Sequence, residues 1–426
     1  MLDIRRLRDD PEGCRAALAR RRDPAVDAAV DEALALDRRR RAALVRTEAL
    51  RAERNAMSDE VARRKKAKEP ADALLAELKA SGDEVKALDV ELRDVEAALE
   101  AIVLGLPNLP HPDAPEGDAS ANRVEKTWGE PRPAGSVQPH WDLGVALGVL
   151  DLPAGAKVSG SGFPVLRGQG SRLVRGLANF MLDLHTREHG YTEVSVPYLV
   201  SRATMTGTGQ LPKFAEELYH VASDDLFLIP TAEVPVTNLH RDELLDAERL
   251  PLAYCAWTPC FRREAGAGGR DTRGLIRLHQ FDKVELVRLV RPEASDAELE
   301  VITRHAEAVL ERLELPYRRL ALATGDTGFS SARTFDLEVW APGVGGWLEV
   351  SSSSVFTDFQ SRRAGLRYRP AAGAKPEFVH TLNASGLAFP RTIIALLEHH
   401  QQPDGTVRVP AALQPYLGTD RLVAGA

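Results

Sequence analysis

Cysteine is scarce in this chain: Cys14, Cys255 and Cys260 are the only three in 426 residues, and none stand in a CxxC pair. A disulfide scaffold is thereby excluded, and a reducing compartment is expected. Long apolar runs are missing as well. No stretch approaches the roughly 18 residues that a membrane-spanning helix needs. The opening MLDIRRLRDD is charged from Asp3 onward and lacks the apolar core of a signal peptide, so a cytoplasmic protein with no membrane partner is expected. Positive charge is not in excess, since 55 Lys+Arg against 62 Asp+Glu leave a net −7. A polyanionic partner must therefore be met by a local basic patch and not by the chain as a whole. Two common phosphate-binding devices are absent too. There is no GxxxxGK[ST], and the glycines of EAGAGGRDTRG (264–274) do not fit a GxGxxG turn between a strand and a helix.

What is present begins with enough apolar material, at 44% of residues, for one large core or two smaller ones. Residues 24–104 are rich in Ala, Leu, Glu, Asp, Arg and Lys, with Gly82 and the Pro70 region as the only breakers. Leu74, Leu78, Ser81, Val85, Leu88, Leu92, Val95, Leu99 and Ile102 recur at alternating steps of four and three, the seam of a coiled coil interrupted only by Ser81. Upstream, Leu36, Ala43, Leu50 and Met57 repeat every seven, and RRKKAKEP (63–70) supplies a turn. Two antiparallel helices forming a long hairpin follow. Between residues 36 and 69 the chain carries 12 Lys/Arg and 6 Asp/Glu; between 71 and 103 it carries 3 and 9. Opposite charges could simply hold two solvated faces together. They could also present Arg38, Arg39, Arg40, Arg41, Arg51 and Arg54 to a phosphate backbone on a rigid lever.

The stretch GLPNLPHPDAPEG (105–117) ends the helical region. The expected division is a domain over residues 1–110 and a second over 111–426. From about residue 163, amphipathic helix (LVRGLANFMLDLHTREHG) mixes with β-rich runs (YTEVSVPYLV, DLFLIPT, LIRLHQFDKVELVRLV, TFDLEVWAP, GWLEVSSSS) that do not alternate as βαβ units would. The fold class expected is α+β, with an antiparallel sheet flanked by helices. Three constellations stand out there. Phe261-Arg262-Arg263-Glu264 and Arg277-Leu278-His279-Gln280-Phe281 read as two strands joined by a mobile cationic loop carrying Arg270 and Arg273, where arginines fork onto phosphate and Phe281 lies on a purine; the alternative is a plain surface hairpin with ordinary ion pairs. GLAFPR (386–391) runs into an apolar helix that starts after Arg391, a cation at a helix N-terminus that is disfavoured unless it meets an anion. HTREHGYTEVSVPYL (185–199) reads as a helix ending at Gly190 and passing into a strand.

Taken in this order the three segments resemble the signature motifs of class II aminoacyl-tRNA synthetases, and MTGTGQLPKF (205–214), IPTAEVP (229–235), DTRGLIRLHQFDKVEL (271–286) and TLNASGL (381–387) narrow the resemblance to the seryl-tRNA synthetase family of bacterial type. The resemblance covers nearly the whole chain. It implies that serine is activated with ATP to seryl-adenylate and passed to the 3′ end of serine tRNA, by a homodimer with no DNA partner. It also implies that Arg262, Glu264, Arg277 and Arg391 carry catalysis, and that ATP is bound by Arg262, Arg263, Glu264, Phe281, Glu349, Val350, Ser351, Ser352 and Arg391. The serine site would comprise Thr231, Ala232, Glu233, Glu285, Asn383 and Ser385, with Glu349 and Ser352 carrying magnesium. The hairpin would grip the tRNA.

Three places depart from the family pattern. Arg263 stands where serine is usual, adding a positive charge near the nucleotide; Pro390 replaces a glycine and stiffens the backbone; Ser353, Val355 and Phe356 replace Cys, Asn and Cys. These departures leave room for a specialised paralogue linked to a secondary metabolite. A non-charging RNA-binding regulator, or an enzyme that hands serine to an acceptor other than tRNA, would also be compatible with the motifs.

Overall fold

Two long helices account for most of the N-terminal quarter of the chain, and the heptads explain them. The computed structural model describes residues 1–266 and 272–425. It divides into one unit of Met1–Ala19 with Asp23–Pro107 and another of Arg20–Arg22 with Asn108–Ala426. In the first unit α1 (Ile4–Asp9) is capped by the Asp3 carboxylate, which accepts from Arg5 N; α2 (Pro11–Ala19) follows. The hairpin is α3 (Ala25–Ala67) and α4 (Asp72–Gly105). Ser81, Val85, Val95, Leu99 and Val103 of α4 are buried, as are Ala33, Ala43, Leu50 and Val61 of α3. The other expected seam positions, such as Leu36, Met57, Leu88 and Leu92, are half-buried.

Two local expectations shift. The turn falls later than RRKKAKEP as a whole, because α3 continues through RRKKA and stops only at Lys68, which takes the left-handed conformation at φ 56°. Basic side chains in a last turn suit the negative end of a helix, so this segment extends the helix instead of breaking it. Gly82 breaks nothing and lies inside α4. The charge asymmetry is in part an internal attraction: Arg39 meets Glu91 at 3.2 Å, Arg46 meets Glu84 at 2.8 Å and Arg51 meets Asp89 at 2.9 Å. Arg40 and Arg41 turn instead to the buried Asp37 on their own helix.

The second unit is the α+β fold expected from the mixed periodicity. Its main sheet has eight strands: β1 (Arg123–Trp128), β2 (Thr192–Glu193), β3 (Leu252–Phe261), β4 (Gln280–Val290), β5 (Tyr317–Ala321), β6 (Arg333–Ala341), β7 (Gly346–Thr357) and β8 (His380–Ala388), in the order β1-β5-β6-β7-β8-β4-β3-β2. Every neighbouring pair is antiparallel except β2 with β3. Helices α5 (Gln169–Arg187), α6 (Ser295–Arg312) and α7 (Phe389–His399) pack on it. Phe335, Leu337, Val339 and Ala341 alternate along β6 into the main core, which also takes in Leu299 and Ile302 of α6 and Ile394 and Leu397 of α7. Apart from Ala341, each such side chain contributes about 1.5–3 kcal/mol by leaving water. On β4, Leu286 and Val290 enter that core while Val287 and Leu289 enter a second one. A strand buried on both faces holds its register firmly. Among the described residues no helix is long and apolar enough to cross a membrane, and all three cysteines are free and buried.

Candidate active site

Strand β4 places the central groups by simple alternation. Phe281, Lys283 and Glu285 are two residues apart, so they share one face. In the β3–β4 register Phe261 pairs with Gln280 and Cys260 with Phe281, which brings Arg262, just past the end of β3, beside the start of β4. The Arg262 guanidinium lies 5.2 Å from the centre of the Phe281 ring, and its Nε donates to Pro230 O at 3.4 Å. Arg277 and Glu264 form an ion pair in the connection. Arg270 lies outside the described residues.

Helix α7 begins at Phe389, so Arg391 falls within its first turn and not before it. Arg391 donates through Nε to Ile276 O at 3.2 Å and through Nη1 to Glu349 O at 2.8 Å. Arg262, Glu264, Arg277, Phe281, Glu349, Val350, Pro390 and Arg391 line a cavity of about 180 Å³. A cation in a helix's first turn is electrostatically disfavoured by the helix itself, and an anion in this cavity would relieve that cost.

A neighbouring cavity of about 230 Å³ is lined by Thr231, Glu233, Glu285, Ser352 and Asn383. Arg262, Lys283, Glu349 and Ser385 line both cavities and so form their junction. Ser385 is there because it pairs with Glu285 across β4 and β8. The Thr231 hydroxyl donates to Glu285 at 2.5 Å and accepts from Lys283 Nζ at 2.9 Å, while Lys283 also ion-pairs with Glu285. Glu233 accepts from Gln360 Nε2 at 2.6 Å, and Gln360 Oε1 in turn accepts from the Thr381 hydroxyl at 2.6 Å. Burial, with the neighbouring Glu285 second, pushes the Glu233 carboxyl up to about 7.

Glu349 and Ser352 reach the same cavity although strict alternation would send them to opposite faces. Glu338 pairs with Glu349 and Leu337 with Ser351, which leaves Val350 unopposed as a bulge that reverses the parity of β7. Asp336 lies opposite Ser352. Burial first, and Glu349 next, raises its carboxyl well above the usual range, and Oδ1 is buried without a hydrogen-bond partner. These oxygens are a donor set of the hard type that magnesium takes.

The remaining expected residues lie at or behind these walls. Ala232 is fully buried in the second core. Ser351 donates to Ser385 O at 2.7 Å and lines neither cavity. Arg263 does not add its charge to the first cavity: its Nη1 turns away to Glu216 O at 3.1 Å and it lines neither space. Phe356 does line the second cavity, whereas Ser353 and Val355 are fully buried beneath it. The helix of the His185 segment stops at Arg187, before Gly190, and the strand after it is only Thr192–Glu193. His185 explains Gly386, since a Cβ there would sit 2.8 Å from His185 Nε2. Sequence reasoning missed Lys283, which the alternation with Glu285 could have shown, and Gln360, which carries no local signal.

Comparison with known proteins shows the family. A family model described as Seryl-tRNA synthetase N-terminal domain matches residues 1–110, and one described as tRNA synthetase class II core domain (G, H, P, S and T) matches residues 218–400. A serine–tRNA ligase of Gemmatimonas aurantiaca is 61% identical over 98% of this chain and 99% of the relative. The chain belongs to the seryl-tRNA synthetase family. A second family member, from Thermomicrobium roseum, is 53% identical over 98% of this chain and 94% of its own. Among solved members, the seryl-tRNA synthetase of Pyrococcus horikoshii, crystallised with ATP, superposes with a TM-score of 0.96 at 38% identity over 100% of both chains. The cytoplasmic serine–tRNA ligase of Naegleria fowleri, crystallised with AMP, gives 0.88 at 30% over 100% and 99%. Members of the seryl-tRNA synthetase family are ATP-dependent aminoacyl-tRNA ligases, and this chain is one of them.

Proposed function

We propose that the two joined cavities are the ATP and serine halves of one active site, in which the chain charges serine tRNA in two steps. The observation that carries this is the junction. Arg262, Lys283, Glu349 and Ser385 line both spaces, so an α-phosphate in one and an amino-acid carboxylate in the other would meet there. A carboxylate oxygen of serine attacks the α-phosphorus and pyrophosphate leaves; the terminal ribose hydroxyl of tRNA then attacks the seryl carbonyl and AMP leaves. Arg262 forks onto the α-phosphate, Phe281 carries the adenine, and Arg391 holds the outer phosphates. Glu233 pairs with the substrate ammonium, and Thr231, Glu285 and Ser385 meet its hydroxyl. Such buried polar groups go unpaired with alanine, which can reject it by up to about 10⁴. Glu349 and Ser352, with Asp336 behind them, would hold magnesium, which supplies charge neutralisation on the phosphates.

The same reading gives residues 1–110 to tRNA binding, with the arginines of α3 on its backbone, and residues 111–426 to catalysis, in a cytoplasmic homodimer that uses no DNA. The retained cavity-lining set, from Arg262 to Arg391, speaks against a non-charging regulator. Serine-dependent ATP–pyrophosphate exchange without tRNA tests the assignment, and exchange driven by another amino acid but not by serine overturns it. Light scattering that finds only a 46.5 kDa species at micromolar concentration removes the dimer.

A further inference from the structure

The wall of the serine-side cavity includes a stretch with no strand or helix to define it. Gly328, Phe329, Ser330 and Ser331 line that cavity and none of them lines the nucleotide cavity. Irregular backbone in a wall needs partners for its peptide groups, and the carbonyls show where they are. Arg21 donates from Nη1 to Thr327 O at 2.9 Å and to Gly328 O at 3.0 Å, and from Nη2 to Ser331 O. Asn108 takes the two carbonyls between, through its backbone N to Phe329 O at 2.9 Å and through Nδ2 to Ser330 O at 3.0 Å. Five consecutive carbonyls are thus held by two residues that do not themselves touch the cavity. The two are also tied to each other, since Arg21 Nε and Nη2 both donate to Asn108 O, at 3.0 and 2.8 Å.

This is an unusual place for a charge. Arg21 is 8% exposed, and burial lowers its guanidinium to about 10, so it stays cationic at neutral pH and is stabilised by carbonyl dipoles in place of a carboxylate. A planar guanidinium reaches several carbonyls at fixed angles, which an ammonium cannot. In sequence Arg21 lies between α2 and α3, and Asn108 directly follows Pro107, the last residue of the first unit.

We infer that Arg21, with Asn108, is a positioning residue for serine: it sets the backbone of Thr327–Ser331 and through it the shape of the amino-acid cavity, without contacting substrate. The inference rests on the serine-site reading above. Loosening the clamp lets Phe329 and Ser330 drift, so the serine site loses fit while the ATP site keeps it.

The experiment is tRNA-free pyrophosphate exchange on the full chain with Arg21→Ala, Arg21→Lys and Asn108→Ala, and with Thr231→Ala as a control inside the cavity. Expected is a tenfold or larger rise in KM for serine in Arg21→Ala, with KM for ATP within twofold of the parent. Arg21→Lys, which retains charge and some donors, should recover part of the loss. If Arg21→Ala does not fold, the serine-only rise in Arg21→Lys and Asn108→Ala carries the test. Equal changes in both KM values, or a fall in kcat alone, in every variant that folds overturns the clamp. Thr231→Ala separates the failures: if it too leaves KM for serine unchanged, the serine-site reading is what has failed.

Discussion

Gln360 Nε2 donates to Glu233 Oε1 at 2.6 Å and thereby holds the carboxyl that burial and Glu285 push up to about 7. A folded-state value above the free one means that protonation favours the apo protein. Glu233 contributes stability below about 4.5 that is lost as pH rises through about 7. In the complex proposed above serine reverses the preference, because its ammonium would pair with the anion. KM for serine should therefore rise as pH falls from 8 to 6, approaching tenfold per unit below 7, and Glu233→Gln should flatten that dependence at the cost of weaker binding. A serine KM constant across this range in the parent would contradict the pairing.

Arg262→Ala removes a charge-assisted donor from the junction of the two cavities. By analogy with lost oxyanion donors the exchange rate should fall by a factor equivalent to about 2–4 kcal/mol. Phe281→Ala should act differently, chiefly raising KM for ATP. Rapid-quench exchange kinetics on the two variants distinguish a rate effect from a binding effect.

The donor set of Glu349 and Ser352 predicts a shift in magnesium dependence. Glu349→Gln removes a negative oxygen, so half-maximal exchange should need at least several-fold more magnesium while KM for serine changes less. A magnesium titration of the exchange rate is the check, and an unchanged midpoint would place the ion elsewhere.

On α3 the arginines are not equivalent. Arg38 and Arg54 are exposed and, among the described residues, have no ion pair, whereas Arg39 and Arg51 each meet an acid of α4. Replacing Arg38 and Arg54 with Ala should leave the melting temperature and pyrophosphate exchange unchanged, weaken tRNA binding and flatten its salt dependence. Replacing Arg39 and Arg51 should additionally cost up to about 1 kcal/mol of stability per pair. Filter binding at several salt concentrations, paired with thermal melts, separates the two.

Ser81 occupies a seam position with its hydroxyl buried and unpartnered. An unsatisfied buried group costs about 1–3 kcal/mol. Ser81→Ala should therefore stabilise the first unit, by about 1 kcal/mol once the smaller volume is allowed for, and differential scanning calorimetry should show its transition moving upward. A downward shift would mean that the hydroxyl has a partner.

Sequence by itself determined the hairpin, because the steps of four and three from Leu74 to Ile102 and of seven from Leu36 to Met57 are local facts that a helix converts directly into one buried stripe. It also determined that Arg262, Glu285 and Arg391 belong to ordered motifs. Tertiary structure alone decided which distant groups meet. Glu349 and Ser352 share a cavity only because pairing with β6 leaves Val350 as a bulge, and a bulge is a property of two strands in register, invisible in either one. Gln360 reaches Glu233 across 127 positions and Arg21 reaches Thr327 across 306. Hydrogen-bond partners so far apart leave no periodic trace, since local pattern reflects only which face a residue shows and not what folding brings against it.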